Sequence, residues 1–217
     1  MLAGQLINGI VSGAMYALVA IGFSLVIGVL DTGFRRGHEA FSDPDNPLDV
    51  VAEWDFVKND ANTDIEAGDA ESQHEHGTLI LGTIRASLPD TLVGGAFDAS
   101  VILCKTEDIE SESPVEEDYY VAGLEFIEFH GGDVATSSLR YSDWYSQSDM
   151  DGQTAVTTIA VNVATANGLH CCTAVGNSGH DSDPQTSQLG APADAFEAIT
   201  VGAVTTEGSV VGFSSDG

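Results

Sequence analysis

Residues 24–33 read Ser-Leu-Val-Ile-Gly-Val-Leu-Asp-Thr-Gly, an apolar run that stops at a polar turn. Because the run is continuously apolar rather than alternating, residues 24–30 are predicted to form a strand buried on both faces, as in the interior of a parallel sheet. Further apolar segments predict the other strands, at 50–56, 99–105, 134–138, 170–175 and 198–204. Asp31 would then follow the carboxyl end of the first strand.

Helical segments are predicted between these strands. One begins at His76 and runs to Ile84. The second covers 116–129, and four of its residues recur at helical spacing and are expected to face inward: Tyr119, Ala122, Phe126 and Phe129. The third covers 154–166, with an inward face expected at Val156, Ile159, Ala160 and Val163.

Strands that alternate with helices predict an α/β fold, in which a mainly parallel central sheet is covered by helices on both faces. In such three-layer sandwiches the functional residues lie at the carboxyl ends of the strands. Asp31 and Asn177 both follow predicted strands, so they are expected at the same edge of the sheet.

The charge balance is strongly acidic. The 217 residues include 34 Asp and Glu against 6 Lys and Arg, a formal net charge of −28. This composition argues against nucleic acid as a partner, because binding phosphates requires Lys and Arg to displace counterions. Most acidic residues fall in the loops 43–49, 60–71 and 107–118, which we interpret as solvated surface. A structural calcium site in such a loop is left open, although no EF-hand spacing is present.

The three cysteines do not form a disulfide framework. Cys104 lies inside an apolar run and is expected to be buried, while Cys171 and Cys172 are expected to face opposite sides of one strand. There is no C-x-x-C or Cys/His metal spacing, so no metal ligand is assigned.

The first 30 residues carry no charged side chain and are long enough to span a bilayer as a helix. Residues 5–22 resemble the first membrane helix of branched-chain amino-acid ABC transporter permeases. The sequence therefore suggests an apolar permease-like helix over 1–23, joined as a fusion or chimera to a second domain over 24–217. Two alternatives are an apolar helix packed on the following domain and a genuine membrane transport component.

Three short blocks in the second domain could together perform nucleophilic catalysis. Asp31 could orient a base, His76 could be that base, and Asn177 could donate an amide hydrogen to an oxyanion. Each block also has a structural explanation: a turn at Asp31-Thr32-Gly33, an exposed polar stretch before a helix at His76, and a turn at Asn177. His74 and His76 could also bind a metal ion from a strand, but no third ligand is placed by spacing.

The order of these blocks resembles the subtilisin-like serine proteases, or subtilases (peptidase S8). Leu30-Asp31-Thr32-Gly33 is similar to the aspartate block of that family, and His76-Gly77-Thr78 to its histidine block. Ala174-Val175-Gly176-Asn177-Ser178-Gly179 resembles its oxyanion asparagine block. Ser138 and Leu139 resemble its substrate-binding segment. The likeness covers residues 24–217.

The resemblance implies a serine endopeptidase that hydrolyses peptide or protein substrates through an acyl-enzyme. It implies no essential metal cofactor, and an extracellular or cell-envelope location, with membrane attachment only through residues 1–30. Arg140 departs from the pattern, since the family usually has Gly there. No serine stands in a nucleophile motif, so the chain is expected to be a fragment that is incomplete at the C-terminus and inactive alone. A non-catalytic pseudoprotease is the alternative.

Overall fold

A six-stranded parallel sheet forms the centre of the molecule. The computed structural model describes residues 25–180 and 189–215. Every neighbouring pair of strands in the sheet runs parallel. The spatial order of the strands is β2 (Val50–Asp55), β5 (Ser100–Lys105), β1 (Val26–Asp31), β6 (Val134–Ser137), β7 (His170–Ala174) and β8 (Ile199–Val201). A separate antiparallel hairpin pairs β3 (Ser87–Leu88) with β4 (Leu92–Val93).

Helices cover both faces of the sheet. The helix α1 (Glu75–Arg85) lies on one face, where Leu81 packs in a core cluster with Val29 of β1. The helices α2 (Val115–Phe129) and α3 (Val156–Asn167) lie on the other face. Their residues Tyr120 and Val161 share a second core cluster with Leu30. The alternation of Val29 and Leu30 between two clusters explains why the strand is continuously apolar, and the expected three-layer α/β sandwich is confirmed.

The expected inward face of α2 is wrong by one residue. The helix buries Tyr120, Gly123, Leu124 and Ile127, whereas Phe129 is 84% exposed. Apolar residues occur on both sides of this helix, so spacing alone did not separate the two faces. Buried polar groups decide the orientation. The carboxylate of Glu117 accepts hydrogen bonds from Trp144 Nε1 at 2.7 Å and from Tyr145 Oη at 2.8 Å.

The expected inward face of α3 is also wrong. The buried residues are Thr157, Thr158, Val161 and Ala164, whereas three of the residues expected inside are exposed: Val156, Ile159 and Val163. The threonines are buried because their polar atoms have partners. Thr158 Oγ1 donates to Asp194 Oδ1 at 2.5 Å, and the amide of Thr157 donates to Glu117 Oε1 at 3.3 Å. A buried hydroxyl with a partner costs little, so the hydrophobic pattern was overridden.

The apolar segment 1–23, and with it the expected N-terminal helix, lies outside the described residues. Within the part of the chain that the structure does describe, no helix is long and apolar enough to cross a membrane. The three cysteines are free thiols; Cys104 and Cys171 are buried and Cys172 is half-buried.

Candidate active site

Asp31 and His76 meet at the carboxyl edge of the sheet. Asp31 is the last residue of β1, and His76 is the second residue of α1. The His76 Nδ1 atom lies 2.7 Å from Asp31 Oδ1. The carboxylate is fully buried, whereas the imidazole side chain is 46% exposed. A buried acceptor on one side and solvent on the other give the ring a defined orientation with one accessible nitrogen.

The Asp31 carboxylate is held by its own turn. Its Oδ1 atom accepts hydrogen bonds from the Thr32 amide at 2.7 Å and from Thr32 Oγ1 at 3.2 Å, in addition to the contact with His76. Oδ2 is buried and has no hydrogen-bond partner among the described residues. Charge-assisted hydrogen bonds of this kind fix the direction of a carboxylate.

His76 has the electrostatics of a base paired with a carboxylate. The hydrogen bond to Asp31 raises the pKa of His76 above its ordinary value, while burial of part of the ring opposes this shift. In the neutral ring, Nδ1–H donates to the carboxylate and Nε2 carries the lone pair. Nε2 makes no hydrogen bond to any described residue. The ring is therefore arranged to accept a proton at Nε2 from a group that binds beside it.

Gly77 explains how the helix and the turn approach so closely. The Gly77 amide donates to Thr32 Oγ1 at 3.2 Å. A Cβ at this position would lie inside van der Waals contact with the carbonyl oxygen of Gly33 and 3.1 Å from Asp31 Oδ1. The residue after the histidine must therefore lack a side chain for His76 to reach Asp31.

Asn177 lies in the loop after β7, two strands away from β1 in the sheet. The residue is exposed, and its side-chain amide makes no hydrogen bond within the described ranges. The loop around it is fixed: the Ser215 amide donates to the Gly176 carbonyl at 2.9 Å, and the Ser178 amide donates to Ser215 Oγ at 3.0 Å. No hydrogen bond joins Asn177 to Asp31 or His76 among these residues.

Ser138 and Leu139 follow β6, at the same edge of the sheet. The Leu139 side chain is buried in the core, so only its backbone is available to a bound chain. Ser138 is half-buried, and Arg140 is exposed. Arg140 Nη1 donates to Ser178 Oγ, which joins the loop after β6 to the loop that contains Asn177.

Gln73 is buried and holds the turn at Asp31 and Thr32 in place. Its Nε2 donates to the carbonyl oxygens of Thr32 at 2.8 Å and of Glu107 at 2.7 Å. The carboxyl group of Glu107 accepts a hydrogen bond from Tyr141 Oη at 2.5 Å. Burial, which is the dominant effect, raises the pKa of Glu107 to about 8. Sequence patterns had indicated neither residue.

A buried network of charges beside the site was also missed. Lys105 Nζ lies 2.8 Å from Asp55 Oδ2 and 3.4 Å from Asp69 Oδ1, with the Lys105 and Asp55 side chains at most 1% exposed. His74, expected on the surface, is buried with its Nε2 atom 3.4 Å from Asp69 Oδ2. Burial lowers the pKa of His74. In the sequence, the one indication of this network is a charged residue, Lys105, at the end of the apolar run 99–105.

This network bears on metal binding. His74 and His76 turn toward different carboxylates, Asp69 and Asp31, so they do not share an ion. Within the described ranges, one set of three acidic residues places a carboxylate oxygen of each within 4.8 Å of the others: Asp55, Asp60 and Glu66. The Lys105 ammonium at Asp55 already supplies positive charge there. The structural calcium site remains an expectation.

Comparison with known proteins identifies the family of this chain. Residues 22–217 match the sequence profile of the Subtilase family, Peptidase_S8. Subtilisin DY of Bacillus licheniformis is 31% identical over 199 residues, which are 90% of this chain and 62% of that protein. Subtilisin E of Bacillus subtilis (strain 168) is 29% identical over 213 residues, which are 97% of this chain and 49% of that protein. The chain thus spans about half to three fifths of the length of these relatives.

Solved structures share the fold. The self-cleaved protease domain of PatA superposes with a TM-score of 0.62 at 17% identity, covering 88% of this chain and 62% of that one. The prenylagaramide maturation protease PagA gives a TM-score of 0.61 at 17% identity, covering 88% and 58%. With the profile match over nearly the whole chain, these findings establish that the chain belongs to the subtilase family.

Proposed function

We propose that this chain is part of a serine endopeptidase, with Asp31 as the orienting carboxylate, His76 as the general base and Asn177 as an oxyanion donor. The observation that carries the proposal is the 2.7 Å contact between His76 Nδ1 and the buried Asp31 carboxylate. Family membership and the exposed amide of Asn177 support it.

The proposed chemistry is acyl transfer to a serine hydroxyl. The hydroxyl loses its proton to His76 Nε2 as its oxygen attacks the peptide carbonyl carbon. Asp31 stabilises the imidazolium that forms, and the Asn177 amide donates to the developing oxyanion. The imidazolium then gives its proton to the leaving amine, and water resolves the acyl-enzyme by the same steps. This route needs no metal ion, and any calcium would have a structural role.

We assign the nucleophile to none of the described serines near the site. The hydroxyl groups of Ser214 and Ser215 are buried and hydrogen-bonded to backbone groups. Ser178 Oγ accepts a hydrogen bond from Arg140. These three oxygens are engaged elsewhere, and none of them contacts His76.

The proposed substrates are peptides or proteins. The segment Ser138–Leu139 offers backbone groups along the edge where Asp31 and His76 lie. Nucleic acid is not proposed, because the chain carries a formal charge of −28. We also propose an extracellular site of action, which the match to the Minor extracellular protease Vpr of Bacillus subtilis (strain 168) supports. Another relative, from Paenibacillus polymyxa, is named Intracellular serine protease, so the relatives of this chain include both extracellular and intracellular proteases.

The test uses the protein expressed from its complete reading frame. The wild type should hydrolyse a peptide amide substrate and react with a fluorophosphonate probe at one serine. His76→Ala should remove both activities. His170→Ala, a matched change of an exposed histidine at the start of β7, should leave them intact. Full hydrolysis by a correctly folded His76→Ala variant would exclude the proposed base.

The same preparation tests the oxyanion donor. Asn177→Ala should lower kcat by about 10²–10³-fold with little change in KM, a magnitude taken over from the loss of such a donor in subtilisin. Asn167→Ala changes an asparagine at the exposed end of α3 and serves as the matched control. An unchanged kcat in Asn177→Ala would contradict the role.

A further inference from the structure

Arg140 spans the gap between two loops at the carboxyl edge of the sheet. Its backbone follows Leu139 in the loop after β6, and its Nη1 atom donates to Ser178 Oγ in the loop after β7. The side-chain stem lies against two glycines. A Cβ on Gly176 would be 3.4 Å from Arg140 Cδ, and one on Gly190 would fall 2.5 Å from Arg140 Nε. These glycines leave the space that the arginine occupies.

The charge of Arg140 is not neutralised by any described carboxylate within 4.0 Å. The other described cations are engaged. Arg36, Lys58 and Lys105 form salt bridges, while Arg35 and Arg85 donate to backbone carbonyl oxygens. Among the residues that the structure describes, this strongly acidic chain thus keeps an exposed guanidinium apart from carboxylates, beside the candidate oxyanion donor.

We infer that Arg140 is a specificity-determining residue that binds a carboxylate of the peptide substrate. This inference rests on the proposed function and adds to it a substrate class, acidic peptides. Arg140 is separated by a single residue from Ser138, and its partner Ser178 directly follows Asn177. A peptide lying along Ser138–Leu139 with its carbonyl at Asn177 would therefore bring one side chain to the guanidinium.

The chemistry of the guanidinium suits this role. It has five N–H donors in a planar fork, and the bond to Ser178 uses one of them. The remaining donors can form a bidentate pair with a carboxylate. Ser178 fixes the position of the fork, so less side-chain freedom is lost on binding.

The acidic surface affects how the inference must be tested. A net charge of −28 repels any acidic peptide at long range, whichever residue carries the charge. A difference in affinity between peptides of different charge would therefore reflect the electrostatic field of the whole protein rather than a contact with Arg140. Positional isomers avoid this problem, because a single glutamate moved along an alanine-based hexapeptide changes neither composition nor charge.

The experiment measures fluorescence anisotropy of six such isomers, labelled at the N-terminus and amidated at the C-terminus, with the 217-residue chain. We expect one position of the glutamate to bind about tenfold more tightly than the others. Arg140→Gln should remove this advantage to within twofold. Arg36→Gln, which deletes a positive charge paired with Glu53, should retain it. A free-acid all-alanine peptide tests whether the site binds a C-terminal carboxylate rather than a side-chain carboxylate. A tenfold gain over its amide would overturn the substrate class.

The outcomes separate the inference from the proposed function. If peptides bind but no position is preferred, or if the preference survives in Arg140→Gln, the inference is wrong and the proposed function stands. If neither the glutamate isomers nor the all-alanine amide peptide binds the folded chain, the peptide-binding role fails together with the inference. A lower thermal midpoint of Arg140→Gln with unchanged peptide preference would make Arg140 only a link between two loops, which also overturns the inference.

Discussion

His76 Nδ1 and Asp31 Oδ1 lie 2.7 Å apart, with the carboxylate fully buried and the imidazole half in solvent. The two residues are 45 positions apart in the chain, and the parallel sheet brings the end of β1 beneath the start of α1. This contact orients the proposed base, and it should make the stability of the folded protein depend on pH. Both effects can be measured.

Asp31→Asn should lower the pKa of His76. The carboxylate hydrogen bond is the main cause that raises this pKa, and burial acts against it. The measurement is a titration of the imidazole carbon-bound protons by NMR. Asp133→Asn is the control, because Asp133 accepts from the Val26 amide at the opposite end of β1. An unshifted titration in Asp31→Asn would mean that the contact is not formed in solution.

Stability should follow the same contact. Since the folded pKa of His76 lies above its unfolded value, its contribution is fully present below the unfolded pKa and is lost as the pH rises through the folded pKa. The difference in free energy of unfolding between wild type and Asp31→Asn should therefore be larger at pH 5.5 than at pH 8.5. Urea unfolding at both pH values tests the sign.

Gly77→Ala should destabilise the protein although alanine is the better helix former. The gain in helix propensity is about 1 kcal/mol. Against it stands a methyl group forced onto the carbonyl oxygen of Gly33, where overpacking costs about 1–3 kcal/mol or more because backbone must move. We expect a net loss in urea unfolding and a perturbed His76 titration. Gly37→Ala, with open space around its Cβ, should lose nothing. Equal stability of Gly77→Ala and wild type would contradict the close approach.

Lys105→Met should cost about 3–5 kcal/mol, because it leaves the buried Asp55 carboxylate without its partner. Lys58→Met removes a lysine that is 32% exposed and should cost about 1 kcal/mol or less. Adding Asp55→Asn to Lys105→Met should recover part of the loss. If the double variant is no more stable than Lys105→Met, the uncompensated charge is not the cause.

The sequence predicted the sheet better than the helix faces. Continuous apolar runs bounded by polar residues located β1 and β5 to within two residues, because a strand buried on both faces leaves few alternatives. The faces of α2 and α3 were wrong because buried polar side chains, Glu117 and Thr158, have partners contributed by distant segments. Spacing within a helix carries no information about such partners.

The candidate site shows the same division. Asp31 and His76 were located by short blocks whose geometry is local to a strand end and a helix start. The charges around Lys105 were not predicted, because the many acidic residues of the loop 60–71 indicate solvated surface when only the sequence is considered. Asp69 in that loop is instead 4% exposed and contacts both Lys58 and Lys105. Whether an acidic residue is buried depends on where the few cations lie in space.

The 217-residue chain should not react with a fluorophosphonate probe. Such probes need a serine oxygen that a neighbouring base can deprotonate. The hydroxyls of Ser178, Ser214 and Ser215 are engaged elsewhere, and His76 Nε2 has no described hydroxyl beside it. Intact-protein mass spectrometry should detect no adduct, with a complete subtilisin as the positive control. A stoichiometric adduct mapped to one serine would identify the nucleophile and overturn this expectation.

Glu107 should make stability fall as the pH rises. Burial raises its pKa from 4.5 to about 8 in the folded protein. Its stabilising contribution is therefore complete below about pH 4.5 and is lost progressively up to about pH 8. Glu107→Gln keeps an acceptor for Tyr141 but cannot titrate, so wild type should lose stability relative to this variant between pH 5 and 8. Glu125→Gln, on the exposed side of α2, should parallel wild type in urea unfolding. Parallel pH profiles of wild type and Glu107→Gln would mean that the Glu107 carboxyl group has the same pKa in the folded and unfolded protein, which would contradict the expected shift.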